Sequence, residues 1–204
     1  MAFKRDDLRE KVLRIAEAEV ARGGTDELRA RTIALEAGVS VGTIYNLFGS
    51  MNGLLEELFT RVLARFHDVA SGALGRQTDR DRRAALLALA EVYLDFVEGN
   101  EALWQSLLSF NRDRPDDASD MEDAYVSQQG PLFDLVGDVL RGTPLDTGDD
   151  MRRRAARMLW SSVHGIVTLN YLGMASRETA REAKGQIELL VDLTLNGMRA
   201  NATA

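Results

Sequence analysis

The scarcity of proline is the feature that most constrains this fold, because only Pro115, Pro131 and Pro144 occur in 204 residues. Proline removes a backbone donor and clashes with the preceding helical turn, so long proline-free stretches leave room for helices. Apolar residues recur at helical spacing, beginning with Leu8 and Val12, whereas the alternation typical of strands is scarce. We therefore predict an all-α protein.

The helical pattern changes along the chain, which suggests two domains in a chain of this length. Residues 1–50 carry three short helices and form the first predicted domain. A linking helix is expected over 51–72, and the second domain covers 73–204. Breaks at glycine and polar loops place the helices at about 4–22, 29–37, 41–47, 51–72, 81–97, 102–110, 118–141 with a bend at Gly130-Pro131, 149–174 and 178–199.

Composition excludes several classes of protein. The chain has no cysteine, so disulfides, thiolate zinc sites and cysteine nucleophiles are absent. No apolar leader follows the first basic residues, and the uncharged run 158–176 is too polar for a lipid-facing span. We expect a cytoplasmic protein without a membrane partner. The net charge of −7 argues against nonspecific coating of nucleic acid.

Residues 29–51 have the spacing of a helix-turn-helix, in which two short helices are joined by a glycine-containing turn. Ile33 and Ala34 fall on the inner face of the first helix, Gly38 lies at the turn, and Val39 and Ile44 would lock the second helix against the first. A helix that begins near residue 40 can enter the major groove by its N-terminus. This segment therefore predicts a DNA-reading surface.

The second helix of this segment carries residue types suited to DNA contacts. Gly42 allows a close backbone approach to a phosphate, and Thr43 offers a hydroxyl and a methyl group to a phosphate or a thymine. Tyr45 can hydrogen-bond a phosphate, although a structural tyrosine is an alternative, and Asn46 has a bidentate match to adenine. The candidate DNA-binding residues are Arg29, Arg31, Ser40, Val41, Gly42, Thr43, Tyr45, Asn46 and Ser50.

The run from Arg31 to Ser50, with Ala-Gly-Val-Ser-x-Gly-Thr-x-Tyr-x-x-Phe at 37–48, resembles the DNA-binding signature of the TetR family of bacterial transcriptional regulators. The resemblance implies an N-terminal three-helix unit that binds operator DNA. It also implies a C-terminal helical domain that dimerises and holds a small-molecule effector. A second resemblance lies at Trp160, His164 and Gly165, which are similar to the Trp–His–Gly signature of one C-terminal subtype.

Two positions and the charge balance depart from the family pattern. Arg29 stands where members usually open the helix with threonine or serine, and Met51 stands where they usually carry a lysine that faces the DNA backbone. Residues 1–58 hold eight basic and ten acidic side chains. DNA affinity usually draws on phosphate neutralisation, so we expect weak, salt-sensitive binding in which Arg29 replaces the lost lysine charge.

Aromatic and methionine side chains concentrate in the second domain beside a few neutral polar ones. Most of them are core in any interpretation, but a helical bundle can leave an apolar cavity with a few polar groups. We predict a mainly apolar effector between the helices of 81–141 and the helix of 158–174. The candidate ligand residues are Tyr93, Phe96, Trp104, Leu108, Tyr125, Trp160, Ser161, His164 and Asn170.

His164 has two alternative roles, as a core histidine or as a polar group in the cavity. Ser161 lies one turn before it, but nothing supplies an orienting acid, and no Gly-x-Ser-x-Gly elbow is present. No His-x-x-x-His pattern or phosphate-binding glycine loop appears either. We therefore expect no metal, no cofactor and no catalysis.

The uncharged stretch 158–176 is apolar nearly all round, which predicts a helix buried on every side. Together with the face of 187–198 that carries Ile187, Leu190, Val191, Thr194 and Met198, it suits a two-fold four-helix interface in a homodimer. The prediction is a repressor whose effector lowers operator affinity by changing the separation of its two reading heads. The alternatives are a helical ligand-binding or protein-interaction dimer that has lost DNA binding and, remotely, a helical enzyme using His164.

Overall fold

The computed structural model describes residues 2–76, 81–112, 130–144, 146–171 and 177–202, and within them every regular element is a helix. The all-α prediction is confirmed. The helices are α1 (Ala2–Gly23), α2 (Ala30–Ala37), α3 (Val41–Phe48), α4 (Met51–Gly75), α5 (Arg82–Gly99), α6 (Glu101–Arg112), α7 (130–139), α8 (Asp149–Tyr171) and α9 (Arg177–Ala202), with a 3₁₀ turn over Thr25–Glu27.

Most predicted helix ends lie within about three residues of the observed ones, as expected for boundaries read from a pattern. The predicted helix over 118–141 is described only from Gly130, so its first half and its bend lie outside the described residues. The last three residues of the helix predicted over 149–174, residues 172–174, also lie outside the described residues.

The turn between α2 and α3 depends on Gly38. This glycine has φ +75° and ψ +34°, a left-handed conformation that residues with a side chain rarely adopt. Its N–H donates to the Leu35 carbonyl at 3.2 Å, and the N–H of Val39 donates to the Ala34 carbonyl at 2.9 Å. These bonds satisfy carbonyls at the end of α2 and turn the chain, so that α3 begins at Val41.

The helices divide into two compact units, and α4 contributes to both. The first unit contains α1, α2, α3, α4 as far as Arg65, the end of α5 from Val97, and α6. The second unit contains the rest of α4 from Phe66, α5 up to Phe96, α7, α8 and α9.

The core of the first unit forms where α1 packs against α2 and α6, and where α2 packs against α3. Ile33 and Ile44, which the sequence places on inner faces, are both fully buried. The α6 helix adds Trp104, only 2% exposed, and the ring of Phe110 lies 5.3 Å from the ring of Phe59 on α4.

The second unit is built on the packing of α8 against α9. Its buried side chains come from all its helices and include Leu86, Ala90, Tyr93, Leu94, Leu132, Phe133, Val136, Leu140, Ala155, Ala156, Leu159, Val167, Ala183, Ile187 and Val191. Among the described residues, no helix is long and apolar enough to cross a membrane.

Candidate nucleic-acid interface and ligand cavity

The start of α3 is fixed by its own side chains. Ser40 is the N-cap, and its Oγ accepts a hydrogen bond from the Thr43 N–H at 3.2 Å. The two hydroxyl oxygens of Ser40 and Thr43 lie 2.9 Å apart. The cap satisfies one of the unpaired donors of the first turn and sets the direction of α3.

The face of α3 opposite the core is exposed and uncharged. Gly42 and Asn46 are exposed, Tyr45 is 44% exposed, and Val41 is half-buried. The opposite face buries Ile44, Leu47 and Phe48 in the first unit. This arrangement leaves neutral hydrogen-bonding groups and bare backbone available to a partner, as direct readout of base edges requires.

Two glycines near α3 differ in what the fold demands of them. A Cβ at Gly42 would meet only Ser40 Oγ, at an ordinary contact distance of 3.7 Å. A Cβ at Gly53, in the first turn of α4, would overlap the carbonyl oxygen of Phe48. The chain itself therefore requires glycine at 53 but leaves room for a side chain at 42.

The remaining candidate DNA-binding residues flank α2 and α4. Arg29 is exposed at the N-cap of α2 and supplies no side-chain cap; its guanidinium donates to the carbonyls of Asp26 and, at 3.2 Å, Leu28. Arg31 is exposed on α2. Ser50 is exposed and caps α4 by accepting from the Gly53 N–H at 3.0 Å, and half-buried Met51 follows it.

Arg9 ties α1 to the end of α3 and to α4. Its guanidinium forms a bidentate pair with Glu57, one N···O distance being 2.6 Å, and donates to the Leu47 carbonyl at 2.9 Å. The same group lies 4.8 Å from the centre of the Phe48 ring, within cation–π range. The hydrogen bonds that Arg9 donates to Glu57 raise the pKa of Arg9, so its guanidinium stays charged.

Two further basic side chains hold α1 against the helix-turn-helix. Lys11 Nζ donates to the Ala37 carbonyl at the end of α2, at 2.9 Å, and Arg5 reaches the Asn46 carbonyl at 3.4 Å. Both bonds place a positive charge near a helix C-terminus, where the helix dipole favours it.

Most of the acidic excess predicted for the DNA-binding unit is neutralised within the unit. Glu10, Glu17, Glu19 and Glu57 pair with Arg61, Arg65, Arg22 and Arg9, respectively. Arg61 and Arg65 lie beyond residue 58, and residues 1–65, which carry the helix-turn-helix and the part of α4 in this unit, hold ten basic and ten acidic side chains. The charge of residues 1–65 is therefore balanced rather than negative.

The second unit contains a cluster of aromatic rings around Trp160. The Trp160 ring lies 5.2 Å from Tyr93, 6.2 Å from Phe66, 6.4 Å from Phe133 and 6.4 Å from His164, measured between ring centroids. The Trp160 and His164 rings are stacked, with 18° between their planes. Tilted and stacked pairs at these distances are the favourable geometries for aromatic side chains.

Tyr93 and His164 hydrogen-bond to each other inside this cluster. Tyr93 Oη and His164 Nδ1 lie 2.7 Å apart. Burial lowers the pKa of His164 below its ordinary value, so the imidazole is neutral at pH 7. In contrast, Trp160 Nε1 and Thr168 Oγ1 are buried without a hydrogen-bond partner among the described residues.

An apolar cavity of about 40 Å³ lies beside Trp160 and is partly open to solvent. Four helices of the second unit contribute to its wall, which consists of Leu86, Leu89, Ala90, Val136, Leu159, Trp160, Val163 and Val191. Trp160 is the only lining residue among the sequence candidates. Sequence reasoning missed the others because buried aliphatic residues on a helix carry no signal that separates a cavity wall from a filled core.

The structure brings only some of the ligand candidates together. Tyr93, Phe96, Trp160 and His164 belong to the second unit, with the Phe96 ring 5.3 Å from Phe66. Trp104 and Leu108 instead belong to the first unit, because α6 packs on α1 and carries them into that unit. Ser161 is exposed, and Tyr125 lies outside the described residues.

Asn170, the remaining ligand candidate, bonds within α8 and to α9. Its Nδ2 donates to the Ile166 carbonyl at 2.8 Å and to Gln186 Oε1 at 3.3 Å. It is absent from the cavity wall. Across the part of the chain that the structure describes, no three His, Asp or Glu side chains converge as metal ligands would.

The surface of α8 and α9 is more exposed than the sequence predicts. Leu169, in the stretch expected to be buried on every side, is 82% exposed in the single chain, and Met158 is also exposed. Ile187 and Val191, expected at a dimer interface, are buried inside the chain. Among the side chains of α9 that the structure describes, residues 181–197, the large apolar ones exposed to solvent are Leu189 and Leu193, one turn apart.

Family comparisons agree with this geometry. The family described as bacterial regulatory proteins, tetR family, matches residues 12–58, and the family described as tetracyclin repressor-like, C-terminal domain, matches residues 86–194. No curated protein matches the chain.

Solved structures of the same fold cover nearly the whole chain. A TetR-family transcriptional regulator from Streptomyces coelicolor is 21% identical, with a TM-score of 0.69 over 94% of this chain and 99% of that one. A TetR transcription regulator from Haloarcula marismortui is 18% identical, with a TM-score of 0.70 over 92% and 98%.

A third similar structure contains a small molecule. It is a protein from Saccharomonospora viridis described as a transcriptional regulator in complex with choline, 20% identical, with a TM-score of 0.69 over 92% of this chain and 96% of that one. Identities this low establish the shared fold, while the two family matches together span both units. The chain therefore belongs to the TetR family of DNA-binding transcriptional regulators.

Proposed function

We propose that this chain is a cytoplasmic, non-catalytic repressor that binds operator DNA as a homodimer and is released by a small apolar effector. The reading surface is the exposed face of α3, with Gly42, Thr43, Tyr45 and Asn46 toward the DNA. The observation that carries this assignment is Gly42, an exposed helical glycine that nothing inside the chain requires. A glycine at the N-terminal end of α3 is explained if a DNA phosphate approaches its backbone.

The homodimer is supported by the apolar surface of α8 and α9. Met158 and Leu169 on α8, and Leu189 and Leu193 on α9, are large apolar side chains exposed in the single chain. A partner that covered them with the same surface would form a two-fold four-helix interface. Two reading heads would then face two operator half-sites.

Release by an effector requires a ligand that binds the two states of the dimer with different affinities. A tenfold release corresponds to about 1.4 kcal/mol of coupling, which is ordinary for allosteric proteins. The cavity beside Trp160 is the candidate site, and the choline bound to the similar protein from Saccharomonospora viridis supports a small-molecule effector here. None of the eight lining residues is acidic, so the cavity favours a neutral effector over a cation.

The decisive experiment compares Gly42→Ala with Gly72→Ala. Both glycines are exposed within helices, and alanine improves helix propensity at each by up to about 1 kcal/mol. Both variants should therefore fold at least as stably as the wild-type chain. Only Gly42→Ala should lose affinity, by about tenfold or more, for DNA from upstream of the gene, measured by fluorescence anisotropy at low and moderate salt.

Equal DNA affinity of the two variants would contradict the assignment of α3. Tyr45→Phe gives a graded second test, because it removes only the exposed hydroxyl and should weaken binding by about fivefold. A protein that binds no DNA at low salt would instead favour the helical ligand-binding or protein-interaction dimer.

A further inference from the structure

The last turn of α2 has backbone carbonyls that the helix itself cannot pair. The N–H groups of Gly38 and Val39 bond to two carbonyls earlier in α2, at 3.2 and 2.9 Å. The carbonyl of Ala37, the last residue of α2, instead accepts from Nζ of Lys11 on α1, at 2.9 Å. A side chain from outside the helix-turn-helix therefore completes the end of α2.

The end of α3 also receives cations from α1. Arg9 donates to the Leu47 carbonyl at 2.9 Å, and Arg5, one turn earlier on α1, donates to the Asn46 carbonyl at 3.4 Å. Arg9 is also paired with Glu57 of α4, so its guanidinium is held on two sides. The helix α1 therefore supplies a cation to the C-terminal end of each helix of the helix-turn-helix.

The turn between α2 and α3 is the point at which such a contact has most influence on α3. Gly38 has a positive φ and no Cβ, so its backbone can adopt many conformations besides the observed one. Lys11 holds the carbonyl immediately before this glycine, where a change in the backbone would redirect α3. Because α1 also packs against α2, the bond ties the turn to the body of the first unit.

We propose that Lys11 is a positioning residue for DNA binding, which sets the direction of α3 by holding the Ala37 carbonyl and does not itself contact DNA. An ionised donor at a helix C-terminus is favoured by its charge and by the helix dipole. To neutralise a phosphate, the ammonium group would have to leave this carbonyl, which would then lose its side-chain donor. The inference rests on the part of the proposed function that places α3 on DNA, and it is independent of the effector.

Lys11→Met tests the bond, because it keeps an apolar stem and removes the ammonium group. Affinity for DNA from upstream of the gene should fall about threefold to tenfold, the range that one net hydrogen bond supports. The log–log dependence of affinity on salt should stay unchanged, whereas loss of a phosphate contact would lower its slope by about 0.9. Lys11→Arg should recover most of the affinity, since a guanidinium can donate to the same carbonyl. Fluorescence anisotropy over a series of salt concentrations measures both quantities.

Arg14→Met is the matched control, because it removes the same charge from an exposed position of α1. It should leave the affinity and the salt dependence nearly unchanged. In ¹H–¹⁵N NMR spectra of the proteins without DNA, the amide signals of Gly38 and Val39 should move in Lys11→Met and stay in place in Arg14→Met. Chemical denaturation establishes that each variant is folded under the assay conditions, so that a weaker affinity reports the geometry of the folded protein.

Three outcomes would overturn this inference alone. A salt slope lower by about one unit in Lys11→Met would make Lys11 a phosphate contact. A less stable Lys11→Met with unchanged DNA affinity would show that the bond only stabilises the fold. Equal losses of affinity in Lys11→Met and Arg14→Met would indicate a general charge effect. A wild-type protein that binds no DNA would instead overturn the proposed function together with this inference, so the two failures are distinguishable.

Discussion

The two units differ in where their charged contacts fall. In the first unit, Arg9, Lys11, Arg61 and Arg65 join α1 to the helix-turn-helix and α4 through ion pairs and hydrogen bonds to helix ends. In the second unit, ion pairs also join α5 to α9, through Arg83–Asp192 and Lys184–Glu91, but these residues are absent from the wall of the cavity, which consists of aliphatic side chains and the Trp160 ring.

This difference matches what each unit must do. Charged hydrogen bonds are directional, so they fix the angle at which α3 leaves the body of the first unit. Aliphatic contacts are not directional, so under the proposed function the cavity wall of the second unit could repack around an effector. Under the proposed function, the first unit presents one reading geometry and the second responds to an effector.

The largest effect is expected at the exposed apolar surface of α8. Leu169→Glu would place an unpaired carboxylate in the proposed dimer interface, where burial of the charge should weaken association by at least about a hundredfold. Sedimentation should show a dimer for the wild-type protein and a folded monomer for the variant, because Leu169 is exposed in the single chain. Leu35→Glu, at an equally exposed leucine of α2, is the control and should stay dimeric.

The next largest effect is expected at the corner between α3 and α4. Gly53→Ala would force the Phe48 carbonyl to move, and such overpacking typically costs about 1–3 kcal/mol of unfolding free energy. Phe48 is the last residue of α3, so a displaced Phe48 carbonyl would also shift α3, and operator affinity should fall as well. Chemical denaturation measures the first effect, and unchanged stability would mean that α4 can start in another geometry.

A smaller loss of stability is expected from Arg9→Met, which keeps an apolar stem but removes the bonds to Glu57 and the Leu47 carbonyl. We expect a loss of about 1–2 kcal/mol, since the pair is only partly buried. Arg14→Met makes the same charge change at an exposed position of α1 and should stay within about 0.5 kcal/mol of the wild type. Similar losses in both variants would show that net charge, rather than the Arg9 contacts, stabilises the unit.

The helix-turn-helix formed by α2 and α3 could be predicted from sequence because its determinants are local. Ser40, Gly38 and the spacing of Ile33 and Ile44 specify a cap, a turn and two inner faces within a dozen residues. The need for glycine at position 53 could not be predicted from sequence. It arises because the Phe48 carbonyl oxygen comes close to residue 53 only once the turn between α3 and α4 has formed.

The candidate ligand cavity could be predicted only in part because its determinants are tertiary. Trp104 and Trp160 look alike in sequence, each on a helix among apolar neighbours, yet α6 carries Trp104 into the first unit and α8 carries Trp160 to the cavity. Periodicity identifies which face of a helix is apolar, but it does not identify the helix that covers it.

Met51→Lys tests whether one added positive charge beside the helix-turn-helix strengthens DNA binding. Met51 begins α4 directly after the turn that follows α3, and a lysine there should add one phosphate contact. We expect tighter operator binding at low salt and a log–log salt dependence steeper by up to about one unit. Ser71→Lys adds the same charge about 30 Å further along α4 and should change neither quantity appreciably. Identical behaviour of the two variants would indicate a general charge effect.

The smallest effect is expected from titration of His164 in the ring cluster. Because burial lowers the pKa of the folded-state imidazole below its ordinary value of about 6.5, the unfolded chain takes up a proton first as the pH falls. The unfolding free energy should therefore be independent of this group above pH about 6.5 and should decline below it until the lowered folded pKa is reached. His164→Gln should flatten that decline, measured by urea denaturation at a series of pH values. His67 is present in both proteins, so its contribution cancels from the difference between them. If both proteins lose stability in parallel below pH about 6.5, His164 binds protons equally in the folded and unfolded states, and the ring cluster is open enough to admit the charge.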